Sequence, residues 1–268
     1  MNTDKKAVQD FWDAASCGEN LYLAGWTKED YLDQAKIRYQ LEPYILSFAD
    51  FPHYKDKNIL EIGVGLGSDH QKFAEAGAIC DGIDLTERAI DHTIRRFQLF
   101  DLKSNLQQGD AENLPFDDNS FDLVYSWGVL HHSPDTVKAV DEVFRVLKPG
   151  GQAKIMIYHK YSFVGYMLWL RYGLFRLNVM TSLEEIYSKY LESPGTKAFS
   201  VKEAKQLFQK FRFLEIDTLL GHADLLTSSA GQRHRGILLS VVRVIWPRWI
   251  IRTFFPKSGL VMLITARK

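Results

Sequence analysis

The sequence predicts an α/β fold, a parallel sheet covered by helices on both faces, and three observations carry that expectation. From Lys57 onward, short apolar runs alternate with amphipathic stretches at strand–helix spacing. The first apolar run ends in closely spaced glycines, Gly63, Gly65 and Gly67. An acid, Asp84, closes the second run about twenty residues beyond them.

The elements follow in order. In the first fifty residues Phe11 and Trp12, then Tyr31, Ala35, Ile37, Tyr39, Leu41 and Tyr44, recur at helical spacing, with breaks at Ser16-Cys17-Gly18 and Ala24-Gly25-Trp26. Strands are expected over 58–63, 78–84 and 121–126, and helices over 68–76, 86–100 and 135–147. Thr86 is placed to cap the second of these helices. Lys148-Pro149-Gly150-Gly151 ends the third and leads into a strand over 152–158. Residues 160–197 are rich in aromatics and interrupt the rhythm as an inserted helical cap. A surface helix over 200–211 opens with Ser200 and Glu203 at capping-box spacing. A strand over 213–220, an apolar helical insert over about 236–255 and a last strand over 259–266 complete the chain.

Composition narrows the function. The 268 residues are 46% hydrophobic and 25% charged, as in ordinary globular proteins. Lys+Arg and Asp+Glu number 33 each, which argues against a nucleic-acid partner. Two cysteines, Cys17 and Cys80, make neither a disulfide framework nor a metal cluster, so no metal is expected and a reducing cytoplasm fits. The polar N-terminus lacks the apolar core of a secretory signal. No run reaches the roughly 18 apolar residues that span a bilayer.

The chemistry concentrates in Leu60-Glu61-Ile62-Gly63-Val64-Gly65-Leu66-Gly67. Glycines after an apolar strand let the backbone turn tightly and approach a ligand at the mouth of the next helix. Such a turn also serves nicotinamide and flavin cofactors, and Asp84 suits the ribose hydroxyls of any adenosine ligand. Two features separate these candidates. The spacing Gly63-x-Gly65-x-Gly67 departs from G-x-G-x-x-G, and Glu61 would repel a pyrophosphate but attract a ligand with a free amino group.

Four blocks, LEIGVGLGSD (60–69), GIDLTERA (82–89), GDAENLPFDDNSFDLVYSW (109–127) and RVLKPGG (145–151), occur in the order and spacing of a known family. On them the chain resembles the class I S-adenosylmethionine-dependent methyltransferases, in particular the group that contains the ubiquinone/menaquinone C-methyltransferases. The resemblance covers about 56–157 and, more loosely, 200–268. It implies a Rossmann-like, doubly wound seven-stranded sheet of order 3-2-1-4-5-7-6 with the last strand antiparallel. It also implies an enzyme of class EC 2.1.1.-, with S-adenosylmethionine as cofactor and S-adenosylhomocysteine as product. Carried onto this chain, it gives Gly63, Gly65 and Gly67 to the methionine portion and Glu61 to its amino group. Asp84 goes to the ribose, Leu85 to the adenine face, Asp110 and the Ala111 N–H to the adenine edge, and the carbonyl around Ser126 to the sulfonium side.

Methyl transfer from a sulfonium mainly requires alignment of the acceptor and exclusion of water, so a catalytic base is optional. The candidates for one are His131 and His132, just past the fourth strand. Tyr22, Trp26, Tyr158 and His159 are further pocket candidates, and Tyr166, Trp169 and Leu170 have the spacing to roof the acceptor. Cys17 reads as a small buried hydrophobe. The expected organisation is a helical N-terminal lid over 1–55 and the main domain over 56–268, with a cap at about 160–198 and an apolar insert at about 232–256. Arg233, Arg235, Arg243, Arg248 and Arg252 flank the apolar residues of that insert. It reads as a buried lid or homodimer contact, with peripheral membrane contact as the alternative. The expected acceptor is a small molecule, lipophilic if lipid contact occurs. A noncatalytic S-adenosylmethionine-binding scaffold is the alternative function.

Overall fold

The computed structural model of the chain describes residues 3–228 and 242–268. Four helices come first: α1 (Thr3–Ala14), α2 (Glu19–Tyr22), α3 (Lys28–Leu41) and α4 (Tyr44–Ala49). Thr27 caps α3 in a reciprocal box with Asp30, and the Gly18 backbone at φ 76° makes the turn before α2, at the two expected breaks.

The sheet and its helices follow as β1 (Asn58–Ile62), α5 (Ser68–Glu75), β2 (Ile79–Asp84), α6 (Glu87–Leu99), β3 (Asn105–Gln108), β4 (Phe121–Trp127), α7 (Thr136–Val146) and β5 (Leu147–Tyr158). The cap contributes α8 (Phe163–Tyr172) and α9 (Leu183–Tyr190). Then come α10 (Val201–Leu207), β6 (Phe213–Leu219), α11 (Arg248–Phe254) and β7 (Val261–Arg267). The strand order is β3-β2-β1-β4-β5-β7-β6, with β7 antiparallel to both neighbours and the other pairs parallel. This is the expected doubly wound sheet.

Alternation along the central strands builds two cores. On one face Val124, Ala153, Ile155, Ile157, Met262 and Ile264 pack under α7 and α10. On the other, Leu123, Tyr125, Trp127, Met156 and Leu263 meet Ile45, Ala49, Phe51 and Phe73 from α4, the following turn and α5. The cap has its own small core around Val164, Leu168, Ile186, Tyr187 and Leu191.

Several elements differ from the sequence reading. β3 had no segment of its own there, because Asn-Leu-Gln-Gln at the sheet edge shows neither an apolar run nor a buried face. Lys148–Gly151 is the irregular start of β5 rather than a separate stop; the pairing with β4 shifts register there and Gly150 turns at φ 80°. The apolar insert over 232–256 lies partly outside the described residues. In its described part α11 buries only Ile251, while Trp249 is 73% and Phe254 64% exposed. The helix α11 is thus largely exposed. No described helix is long and apolar enough to cross a membrane.

Candidate active site

At the carboxyl ends of β1, β2, β4 and β5 the chain encloses a cavity of about 960 Å³. The glycine loop forms its floor. Gly63 and Gly65 turn at φ 83° and 53°, a left-handed region that L side chains resist, and a Cβ at Gly65 would have nothing within 4 Å. That emptiness is the space a ligand can approach. Gly67 lies outside the lining; at φ 75° it starts α5 and backs onto Thr93 and Arg96.

Two carboxylates flank the loop. Asp84 accepts from the Gly65 N–H at 3.2 Å and from the Thr86 N–H and hydroxyl at 3.0 and 2.8 Å. Burial nevertheless pushes its carboxyl above the usual range. Glu61 is 2% exposed and lies 3.0 Å from His70 Nδ1. Burial and the neighbouring Asp69 push Glu61 well above the ordinary carboxylate range, while burial drives His70 down to about 3.

Asp69 is a residue the sequence reading missed as a site component. Although buried, it is held below the usual range by Arg38, which donates to both its oxygens at 3.1 and 2.7 Å, and by the hydroxyls of Tyr125 and Tyr39. Arg38 also reaches Glu42 at 3.4 Å and lines the cavity. It comes from α3, far from the glycine motif in sequence, and its spacing carries no signal.

The N-terminal helices close over this floor. Lys5 on α1 donates to Asp110 and Glu112, both at 2.6 Å, and Gln9 donates to the Leu85 carbonyl at 3.2 Å. Leu85, Asp110 and Ala111 all line the cavity beneath α1. The Asp110 carboxylate is thus engaged by Lys5 on one oxygen and by the Glu112 N–H, 2.9 Å, on the other. Ser126 does not reach the lining; its hydroxyl donates to the Ile62 carbonyl at 3.0 Å inside the sheet, and Trp127, Gly128 and Val129 form the wall instead.

Beyond the floor the cavity widens into an apolar chamber. Trp12, Tyr22, Trp127, Tyr158, Met167 and Leu168 line it, with Ala223, Ile245 and Trp246 from the C-terminal part. Of the expected roof residues Leu170 lines it and Tyr166 and Trp169 do not; the inward positions are Met167 and Leu168. Trp26 stacks on His92 at 4.4 Å, and His159 turns to the Gly259 carbonyl at 3.1 Å, both away from the cavity. Cys17 is exposed rather than buried and lines the wall. His132 lines the chamber and meets Trp12 edge-on at 5.3 Å, whereas His131 is fully buried behind it.

The family described as a methyltransferase domain matches residues 60–155, from β1 through β5. Over those residues the chain carries a class I S-adenosylmethionine-dependent methyltransferase domain. It is 30% identical over 161 residues to the sterol 24-C-methyltransferase of Schizosaccharomyces pombe, covering 55% of this chain and 40% of that one. It is 32% identical over 163 residues to the norajmaline N-methyltransferase of Rauvolfia serpentina, covering 59% and 56%. The chain thus spans about half the length of these relatives. A chain from the Haloferax volcanii complex between the Trm112 methyltransferase activator and a methyltransferase superposes with a TM-score of 0.60 at 17% identity, over 97% of this chain and 96% of that one. That likeness establishes the fold. The cofactor of the domain, S-adenosylmethionine, is positive at its amine and sulfur. Two carboxylates beside an open glycine cradle are the donor set that suits it.

Proposed function

We propose that this protein transfers a methyl group from S-adenosylmethionine to a small, largely apolar acceptor. The observation that carries the reading is the single cavity running from Asp84 and the glycine loop into the aromatic chamber under the cap. The cofactor, when bound, supplies an already activated methyl group. The chain's own residues do the rest. Glu61 attracts the amino group, Arg38 the carboxylate, and Asp84 accepts from the ribose hydroxyls. Leu85, Asp110 and Ala111 receive the adenine, with Lys5 holding α1 over them as part of a lid formed by the first 55 residues. Gly63 and Gly65 admit the methionine portion. The wall at Trp127–Val129, next to Ser126, faces the reacting side.

Trp12, Trp127, Tyr158 and Met167 exclude water and orient the acceptor. His132 faces that chamber and is the candidate for contact with the acceptor, with His131 behind it. One of these relatives is named for methylation at carbon and the other at nitrogen, so similarity to them leaves the attacked atom open.

The chamber reaches a surface suited to lipid. Leu170, Arg171, Phe175 and Ile245 line it, and Phe175 and Ile245 are 75% and 72% exposed. The segments 163–180 and 242–257 contain no acid, while Arg171, Arg176, Arg243, Arg248, Arg252 and Lys257 lie in them. We read this as a peripheral membrane contact through which a lipophilic acceptor enters. The experiment is release of S-adenosylhomocysteine over a panel of quinols, sterols, amines and phenols. Turnover with any apolar acceptor supports the reading. Tight cofactor binding without turnover across the panel would favour a noncatalytic binder.

A further inference from the structure

Behind the chamber wall three ligating side chains meet. His131 and His132 belong to a one-turn helix, Leu130–His132, after β4, and Glu192 follows α9. Each offers one ligand atom within 4.8 Å of the other two.

Thr196 Oγ1, which donates to the Ser193 carbonyl at 2.7 Å, and Ser193 Oγ face His132 Nδ1 at 3.1 and 2.9 Å. His132 Nε2 faces Glu192 Oε2 at 3.3 Å. That oxygen already accepts from the Tyr158 hydroxyl at 2.8 Å.

His131 adds a second observation. It is fully buried, and neither ring nitrogen has a hydrogen-bond partner among the described residues. Its ring packs 3.9 Å from Tyr158 and 4.2 Å from His132. With both nitrogens enclosed and unbonded, the ring has a lone pair to offer a ligand. An unpartnered buried polar group of this kind calls for an explanation.

We infer that His131, His132 and Glu192 bind a divalent transition cation. Two imidazole nitrogens and a carboxylate are the donors that zinc, cobalt and ferrous ions accept. Ser193 and Thr196 orient His132, and Tyr158 orients Glu192, as outer partners of metal ligands do. Because His132 and Glu192 line the cavity, the remaining coordination positions face the acceptor chamber. An acceptor oxygen or sulfur is the ligand those positions would take. The sequence reading expected no metal because the cysteines gave no cluster; Glu192 lies sixty residues from the histidine pair and only the fold brings it there.

The test uses untagged protein stripped by a chelator and titrated with Co(II), followed by visible absorption and equilibrium dialysis. One ion per chain with ligand-field bands is expected. Glu192→Gln, which keeps an acceptor for Tyr158, and His131→Gln should each weaken binding at least about tenfold. Melting curves report whether each variant is folded, and the partly exposed Glu192 position serves if His131→Gln is not. A folded wild type that takes up no ion, or a folded Glu192→Gln variant that binds like wild type, overturns the inference. No cofactor or acceptor is added, so the result is separate from that of the methyl-transfer reading.

Discussion

Arg96 donates from Nη1 to the Leu66 carbonyl at 2.8 Å, so a fully buried guanidinium braces the glycine loop from behind. The same side chain donates to the Tyr31 carbonyl at 2.8 Å, to Gln34 at 2.9 Å and to Gln71 at 2.6 Å. It thereby ties α3, α5 and α6 to the floor of the cavity. Arg96→Leu leaves several of these buried acceptors without a donor, at about 1–3 kcal/mol per group. Chemical denaturation should register a loss of at least about 3 kcal/mol. A loss within experimental error would show that the brace is dispensable.

Two glycines in one loop should respond differently to the same substitution. A Cβ at Gly63 would meet Val129 Cγ2 at 2.1 Å in a strained φ, whereas at Gly65 the space is open. Gly63→Ala is expected to lower the melting temperature through the clash. Gly65→Ala bears only a left-handed strain of about 1–2 kcal/mol and should remain folded while losing cofactor affinity. Melting curves with and without S-adenosylmethionine separate the two, and equal behaviour would refute the assignment of the open space to ligand.

The raised carboxyls of Glu61 and Asp84 give binding a pH dependence. A cationic ligand favours their ionised forms, so it lowers both pKa values and expels protons on binding. Affinity should therefore rise as pH increases through the raised values of the free protein. Calorimetry in buffers of different ionisation enthalpy measures the protons directly. Net uptake would mean that neither acid meets positive charge.

Lys5 closes α1 over the expected adenine site through Asp110 and Glu112, and it is only 14% exposed. Removing a partly exposed pair of this kind costs about 1 kcal/mol, or roughly fivefold in a rate. Lys5→Met should speed cofactor release by that order in stopped-flow fluorescence. An unchanged release rate would leave α1 as packing alone.

The basic, aromatic surface at Trp249 and Phe254 should bind vesicles rich in anionic lipid and ignore neutral ones. Trp249→Ser and Arg252→Glu together are expected to abolish co-sedimentation without altering cofactor binding, since neither residue lines the cavity. Sedimentation equilibrium of the same protein shows whether self-association covers this face instead.

The fold was legible because the central strands are buried on both faces and their apolar runs are nearly continuous, with glycines and caps at the ends. β3 was not, since an edge strand of Asn, Leu and Gln has no periodic signal. In the site, Glu61, Gly63, Gly65, Asp84, Leu85, Asp110 and Ala111 come together around one cavity because they sit at the ends of adjacent parallel strands. Ser126 and Gly67 point elsewhere by one step of strand or turn geometry, which spacing alone cannot resolve. Arg38, Asp69 and Glu192 were invisible for another reason: their partners come from α3, α5 and the cap, and only tertiary packing brings them together.

Calorimetric titration of the purified protein with S-adenosylmethionine, alongside a folded Asp84→Ala variant, tests the central claim most directly. One saturable site per chain is expected, weakened at least about tenfold when the ribose-facing carboxylate is removed. A folded wild type that gives no binding heat and no shift in melting temperature, or a variant that binds equally well, would contradict the account.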